Sequence, residues 1–293
     1  MNGILCLDKP ADMTSFSCCA VLRRLAGTKK VGHAGTLDPM ATGVLPLLVG
    51  NAAKALDWLP DHDKSYTAAL RFGFTSDTLD VWGQVTPTGK PLPTLAAIEA
   101  ALARFRGDIL QVPPMTSALK IDGTRLYELA RQGKTVERAA RPVTVYQLDI
   151  LDFDPAAGEL TLHCACSKGT YIRSICDDLG RDLGCGAVMT ALRRTTAAGF
   201  SLDNCLTLDE ARAFAADGTL EAHLLPVETA LAVYPAVTVT APQATRFRNG
   251  GALALDRLRV TVDGTVRVFA PDGTFLGLGV TANGELTIGK LFV

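Results

Sequence analysis

Val31–Leu48, VGHAGTLDPMATGVLPLL, sets Gly32, Gly35, Pro39, Gly43 and Pro46 around a single carboxylate, Asp38, with His33 five residues before it. Glycine permits backbone angles and close approaches that other residues resist, and proline fixes its own φ. A loop built from both has a defined shape, and its strongly polar chemistry belongs to His33 and Asp38. Asp-Pro is also a common helix start, with Asp as N-cap and Pro at the first helical position. Gly43 and Pro46 interrupt any long helix here, so a reactive carboxylate stands beside the capping reading.

The 293 residues suffice for one large domain or a large and a small one, and 48% hydrophobic content supports a sizeable core. No apolar run reaches the length of a membrane span. The start, MNGILCLDKP, lacks a basic region followed by a long apolar segment, so a cytoplasmic protein is expected. The eight cysteines contain no C-x-x-C pair, which favours buried reduced thiols over a metal site. The net charge of −1 hides an uneven distribution: residues 101–145 hold eight Lys/Arg against four acids, and residues 201–233 hold one against six. A local basic face, not a basic total, is what nucleic-acid contact requires.

In chain order, Ile4–Leu7 reads as a buried strand, and Thr14 and Ser15 offer N-caps for a helix through Ala26. Asn51–Leu59 suggests a short helix. Tyr66, Ala68, Leu70, Phe72 and Phe74 alternate on one face of a strand. Leu95–Arg106 is amphipathic and helical, and residues 112–142 are rich in breakers and then in Lys/Arg. Two strands, Val143–Asp152 and Glu159–Cys166, precede a helix opening at Gly169 or Thr170. An Arg in its first turn, Arg173, is unfavourable with the helix dipole and calls for a carboxylate partner, either distant or Asp177 at i+4. Thr207–Ala216 is a capped acidic helix. Beyond Tyr234, Asp263-Gly264, Asp272-Gly273 and Asn283-Gly284 are hairpin signals, and the segment suggests a small β-barrel.

GHAGTLDPMATGVLP resembles the signature loop of the TruB family of tRNA pseudouridine synthases. Other blocks agree in order: KPADMTS, the K-x-Y around Tyr66, PP-x-x-SALK, G-x-RLYELAR, KGTYIR and LRRT. One departure is Asp12, where the family pattern K-P-x-G-x-T-S carries glycine. The resemblance implies an α+β (mixed α/β) fold: a catalytic domain over residues 1–232 with a largely antiparallel sheet and an RNA-gripping insertion at about 112–142, then a PUA-type RNA-binding domain over 233–293. It implies isomerisation of uridine 55 in the tRNA T-loop to pseudouridine. Asp38 is then the catalytic nucleophile, Arg173 its partner, and Tyr66 a base-stacking phenol able to relay a proton. His33 would act where the base leaves the stack, and Tyr171 and Leu192 would line the uracil pocket. Lys120, Arg125, Arg131, Arg193 and Arg194 are candidates for the RNA backbone, with Lys134, Arg138 and Arg141 also in the basic segment.

That chemistry breaks N1–C1′, turns the base and joins C5 to C1′. No atom is gained or lost, so no cofactor and no metal are expected. The expected partner is tRNA, with no membrane, no obligatory protein partner and a monomeric chain. An Arg beside the carboxylate favours its charged form. The residues leave open whether Asp38 attacks C1′, attacks C6 or removes a ribose proton. Two other readings remain: an RNA-folding protein without catalysis, and a glycoside hydrolase. The latter normally needs two facing carboxylates, and the Asp38 loop offers one.

Overall fold

The computed structural model describes residues 1–60, 63–117, 119–121, 123–258 and 263–293. Among them, ten strands form one sheet: β1 (Gly3–Lys9), β2 (Val31–His33), β3 (Thr42–Val49), β4 (Lys64–Phe72), β5 (Gly107–Gln111), β6 (Arg141–Asp154), β7 (Glu159–Cys166), β8 (Ala187–Ala197), β9 (Phe200–Ser201) and β10 (Cys205–Leu206). Their order is β10-β1-β3-β8-β4-β7-β6-β5, with β2 on β3 and β9 on β8. Only β1 with β10 and β3 with β8 pair parallel, so the sheet is largely antiparallel and the fold mixed α/β.

Successive side chains of a strand point to opposite faces. In β1, Leu5 and Leu7 enter one core while Ile4 and Cys6 enter another; in β3, Leu45, Leu47 and Val49 take the first face, Val44 and Leu48 the second. Both faces are covered, which is why these stretches read as unbroken apolar runs. The first core is closed by α1 (Ser15–Leu25), α2 (Leu95–Leu102), α4 (Ile172–Asp182) and α5 (Leu208–Ala216), numbered with α3 (Leu126–Arg131) between them. Thr14 caps α1, its hydroxyl accepting from Ser17 N at 2.9 Å, and Thr207 forms a capping box with Glu210 on α5. All eight thiols are free, and all but Cys205 are buried.

Three elements differ from the sequence expectation. Asn51–Leu59 forms a short 3-10 turn, Gly50–Ala55, because Ala52 N bonds Asn2 Oδ1 and Lys54 reaches Leu291 O. Leu95–Arg106 divides into α2 and a 3-10 turn, Ala103–Phe105. The helix expected from Gly169 or Thr170 begins at Ile172, because the Gln111 amide takes both the N–H and the carbonyl of Tyr171 and keeps that residue extended.

The C-terminal strands β11 (Ala236–Thr238), β12 (Leu253–Ala254), β13 (Gly264–Phe269), β14 (Phe275–Ala282) and β15 (Glu285–Leu291) form a second sheet in the order β11-β13-β14-β15-β12. Asn283 and Gly284, both at positive φ, make the tight turn between β14 and β15. Asp272-Gly273 joins β13 to β14, whereas Asp263-Gly264 opens β13, and residues 259–262 before it lie outside the described residues. Phe247 of the helix Ala241–Arg248 packs with Val266, Val268 and Leu276 on this sheet. The result is a half-barrel covered by a helix, which fits the small barrel-like, PUA-type domain expected. Phe275, Leu278 and Phe292 join the second core of the large sheet, and Tyr234 Oη donates to Trp58 O at 2.9 Å.

The departure at Asp12 also has a physical account. Asp12 has φ 61°, the left-handed region that glycine enters freely and Asp tolerates better than most residues. Asp12→Gly is therefore expected to leave the melting temperature level or raise it slightly. Asp12→Val, β-branched at positive φ, is expected to lower stability by about 1–2 kcal/mol in a denaturant titration.

Candidate active site

Asp38 lies in the loop between β2 and β3, and no helix follows it; Ala41 N bonds Asp38 O at 3.1 Å in a single turn. Two side chains near the N-terminus fix this loop. Ser15 Oγ accepts from Leu37 N at 2.8 Å and donates to Leu37 O at 3.1 Å. The fully buried Lys9 donates to Pro10 O, Met13 O and Pro39 O at 2.8, 2.6 and 3.0 Å. Where the loop rejoins the sheet, a Cβ on Gly43 would stand 2.1 Å from Arg194 O, so only glycine allows the two backbones to meet.

Arg173 is the partner of Asp38. The guanidinium is buried, with Nη2 3.0 Å from Asp38 Oδ2 and Nη1 3.4 Å from Oδ2 of buried Asp80. Nη1 also donates to Thr116 Oγ1 at 2.6 Å and Thr78 O at 3.2 Å, and Nη2 donates to Thr116 O at 3.2 Å. Asp177, the alternative partner at i+4, pairs instead with Arg181. Asp80 is itself held by Thr78 Oγ1 at 2.6 Å and Trp82 N at 3.0 Å. Arg173 thus serves two carboxylates from separate loops. Asp80, Thr116, Lys9 and Gln111 are site residues that the sequence reading missed; the only signal for Asp80 was an acid between apolar neighbours.

Tyr66 on β4 stands opposite Arg194 on β8 in register, and Leu192 opposite Ala68 on the same face. Tyr66 and Leu192 are both buried and belong to the same core as Leu37 and Met40 of the loop. Burial pushes the Tyr66 phenol up to about 12 against the opposing pull of Arg194. His33, at the end of β2, is half-buried, and burial with Arg194 nearby holds its imidazolium below the ordinary range. Tyr171 caps α4 one residue from Ile172, two before Arg173.

The basic segment carries a short hairpin, Lys120–Ile121 with Thr124–Arg125, followed by α3; Ala118 of PP-x-x-SALK, and Asp122 between the two motifs, lie outside the described residues. Lys120, Arg125 and Arg131 are exposed, and Arg125 and Arg131 flank the Tyr127 ring at 5.8 and 5.4 Å. Arg193 is half-exposed and pairs with Asp8 at 2.7 Å. Arg194 corrects the expectation of a phosphate contact. It is fully buried, with Nε donating to Val44 O at 2.8 Å, Nη2 to Gly35 O at 3.2 Å and Nη1 to Thr36 O at 3.4 Å.

One carboxylate, a clamping guanidinium and a buried phenol can carry nucleophilic and proton-transfer chemistry without another group. Asp38 departs from the simple expectation of a lowered pKa. Burial raises it, Arg173 opposes, and Asp80 raises it further. Its folded value therefore exceeds the unfolded one, and the stability it contributes in the protonated form is lost as pH rises through the folded value. In a carbon-13 titration of the Asp38 carboxyl, the midpoint is expected above about 3.9, the ordinary Asp value. Asp80→Asn is expected to lower that midpoint and Arg173→Met to raise it.

Comparison with known proteins agrees with this geometry. Residues 23–172 match the family model described as TruB family pseudouridylate synthase (N terminal domain). Residues 173–232 match the tRNA pseudouridylate synthase B C-terminal domain, and residues 235–287 match pseudouridine synthase II TruB, C-terminal. A tRNA pseudouridine synthase B of Dechloromonas aromatica is 46% identical, covering 100% of this chain and 96% of its own length. One from Ralstonia pickettii is 45% identical over 96% of this chain and 91% of its own. Among solved structures, a chain of a Cbf5-Nop10-Gar1 complex superposes with a TM-score of 0.75 at 24% identity, covering 99% of this chain and 85% of that one, which shows the shared fold. With the carboxylate, its guanidinium and the phenol gathered on this scaffold, and relatives matched along its whole length, the chain belongs to the TruB family of pseudouridylate synthases.

Proposed function

We propose that this chain isomerises uridine 55 in the T-loop of tRNA to pseudouridine, with Asp38 as nucleophile. The observation that carries the reading is the Asp38–Arg173 pair, 3.0 Å apart, in a loop whose Leu37 and Met40 share a core with Tyr66 and Leu192. The names of the relatives, tRNA pseudouridine synthase B, support tRNA as substrate.

The target base is stacked in the folded RNA and must leave the stack, at a cost of a few kcal/mol. His33 is placed to help there as a neutral imidazole, and Tyr171 and Leu192 to receive the base. Asp38, a third exposed, stays reachable while Arg173 favours its charged form. The N1–C1′ bond breaks, the base turns, and C5 bonds to C1′. Attack of Asp38 on C1′, attack on C6 and removal of a ribose proton each leave the atom count unchanged. The proton on C5 leaves, by way of the Tyr66 oxygen, and a proton is taken up at N1. Lys120, Arg125, Arg131 and the outer edge of Arg193 are placed to meet phosphates, while the acidic residues of 201–233 face away from the RNA. The catalytic unit spans residues 1–232 and the RNA-binding domain 233–293, acting as a monomer in the cytoplasm.

The test uses a T-loop stem with tritium at C5 of its target uridine. Wild type is expected to release tritium to water without free uracil, and Asp38→Asn to release none above background. Release of uracil would point to hydrolysis, and absence of release by wild type would overturn the reading.

A further inference from the structure

Arg194 is among the largest fully buried side chains of the molecule, yet among the described residues no carboxylate pairs with it. Its guanidinium is held by carbonyls alone. Gly35 O and Thr36 O precede Asp38 in the loop, and Val44 O follows it. One side chain therefore ties both arms of the catalytic loop. Tyr66 stands directly opposite Arg194 in the β4–β8 register, and the guanidinium and the phenol attract one another. A buried cation without a counter-ion is costly unless it has another electrostatic task.

We propose that Arg194 is a positioning residue for Tyr66: it fixes the phenol against the Asp38 loop and supplies the positive charge that faces the phenolate while the C5 proton is transferred. This inference rests on the isomerase reading above. Tyr66 is a phenol at rest. In the transfer its oxygen gives its own proton to water as it takes the proton from C5, carries phenolate charge in between and ends as phenol, so the net transfer is one proton from C5 to water. The phenolate is a poor species in an apolar core, and a fixed guanidinium beside it offsets the lost solvation. Arg193, one residue earlier, lies on the opposite face of the sheet and pairs with Asp8, so it does not share this task.

The experiment compares wild type with Arg194→Met and Arg194→Lys, each with natural tyrosine or a fluorinated tyrosine at position 66. Fluorination acidifies the phenol and gives a fluorine-19 signal that follows its ionisation. Arg194→Met is expected to bind the stem-loop as wild type does and to release tritium at least about tenfold more slowly, one pKa unit of phenol acidity being a factor of ten. Arg194→Lys, which keeps the charge, is expected to retain most of the rate. The fluorinated residue is expected to restore the rate of Arg194→Met, with its ionisation midpoint displaced to higher pH than in wild type. An unchanged midpoint in Arg194→Met, or a rate loss shared by both variants and not recovered by fluorination, would leave Arg194 as a loop brace and overturn the inference. If Arg194→Met fails to fold, the Lys variant decides: a retained rate and midpoint support the inference, and a loss that fluorination does not recover sinks it. Failure of the isomerase reading is distinct, since it appears as no tritium release by wild type whatever the fluorine midpoint does.

Discussion

A buried guanidinium between two carboxylates is the constraint on which the site depends. Arg173 gathers Asp38 from the loop after β2 and Asp80 from the turn of the hairpin Phe74–Ser76 with Val85–Pro87, and its remaining donors reach Thr78 and Thr116. Removing one partner of such a cluster leaves buried charge uncompensated, typically at about 3–5 kcal/mol. The geometry upstream serves this contact. Gln111 fixes the backbone of Tyr171, so α4 begins where Arg173 enters its first turn. The unfavourable placement of a cation near a helix N-terminus is offset by the two carboxylates it meets.

A second cation works from below. Arg194 braces the Asp38 loop and faces Tyr66, while Lys9 and Ser15 hold the other side of that loop. The loop is thus over-determined by buried donors, which would suit Asp38 in the proposed role of a nucleophile held in place before substrate arrives. The sheet provides the rigid base. Its central strands are packed on both faces, and the C-terminal half-barrel closes the second core through Phe275, Leu278 and Phe292.

The parts legible in the sequence were those with local signals. The Asp38 loop declared itself through glycine and proline, the strands through period-two alternation, and α1 and α5 through their caps. An Arg placed against its helix dipole calls for a carboxylate without saying which; the family resemblance is what implies Asp38. Long-range partners were not legible: Asp80, Thr116 and Lys9 join the site only when distant loops meet. Arg194 was misread as a phosphate ligand because adjacent arginines suggest a basic surface. Strand alternation held the corrective signal, since Arg194 shares a face with Leu192 and Tyr66 lies opposite. The helix at Tyr171 was placed too early because the clamp that delays it comes from Gln111, 60 residues away.

The most direct measurement maps pseudouridine at single-nucleotide resolution in a full-length unmodified tRNA incubated with the purified protein. Modification confined to uridine 55, and lost when the T-loop is unfolded or Asp38 is replaced, is the result this account predicts. Modification at another position, or none in a folded tRNA, would contradict it.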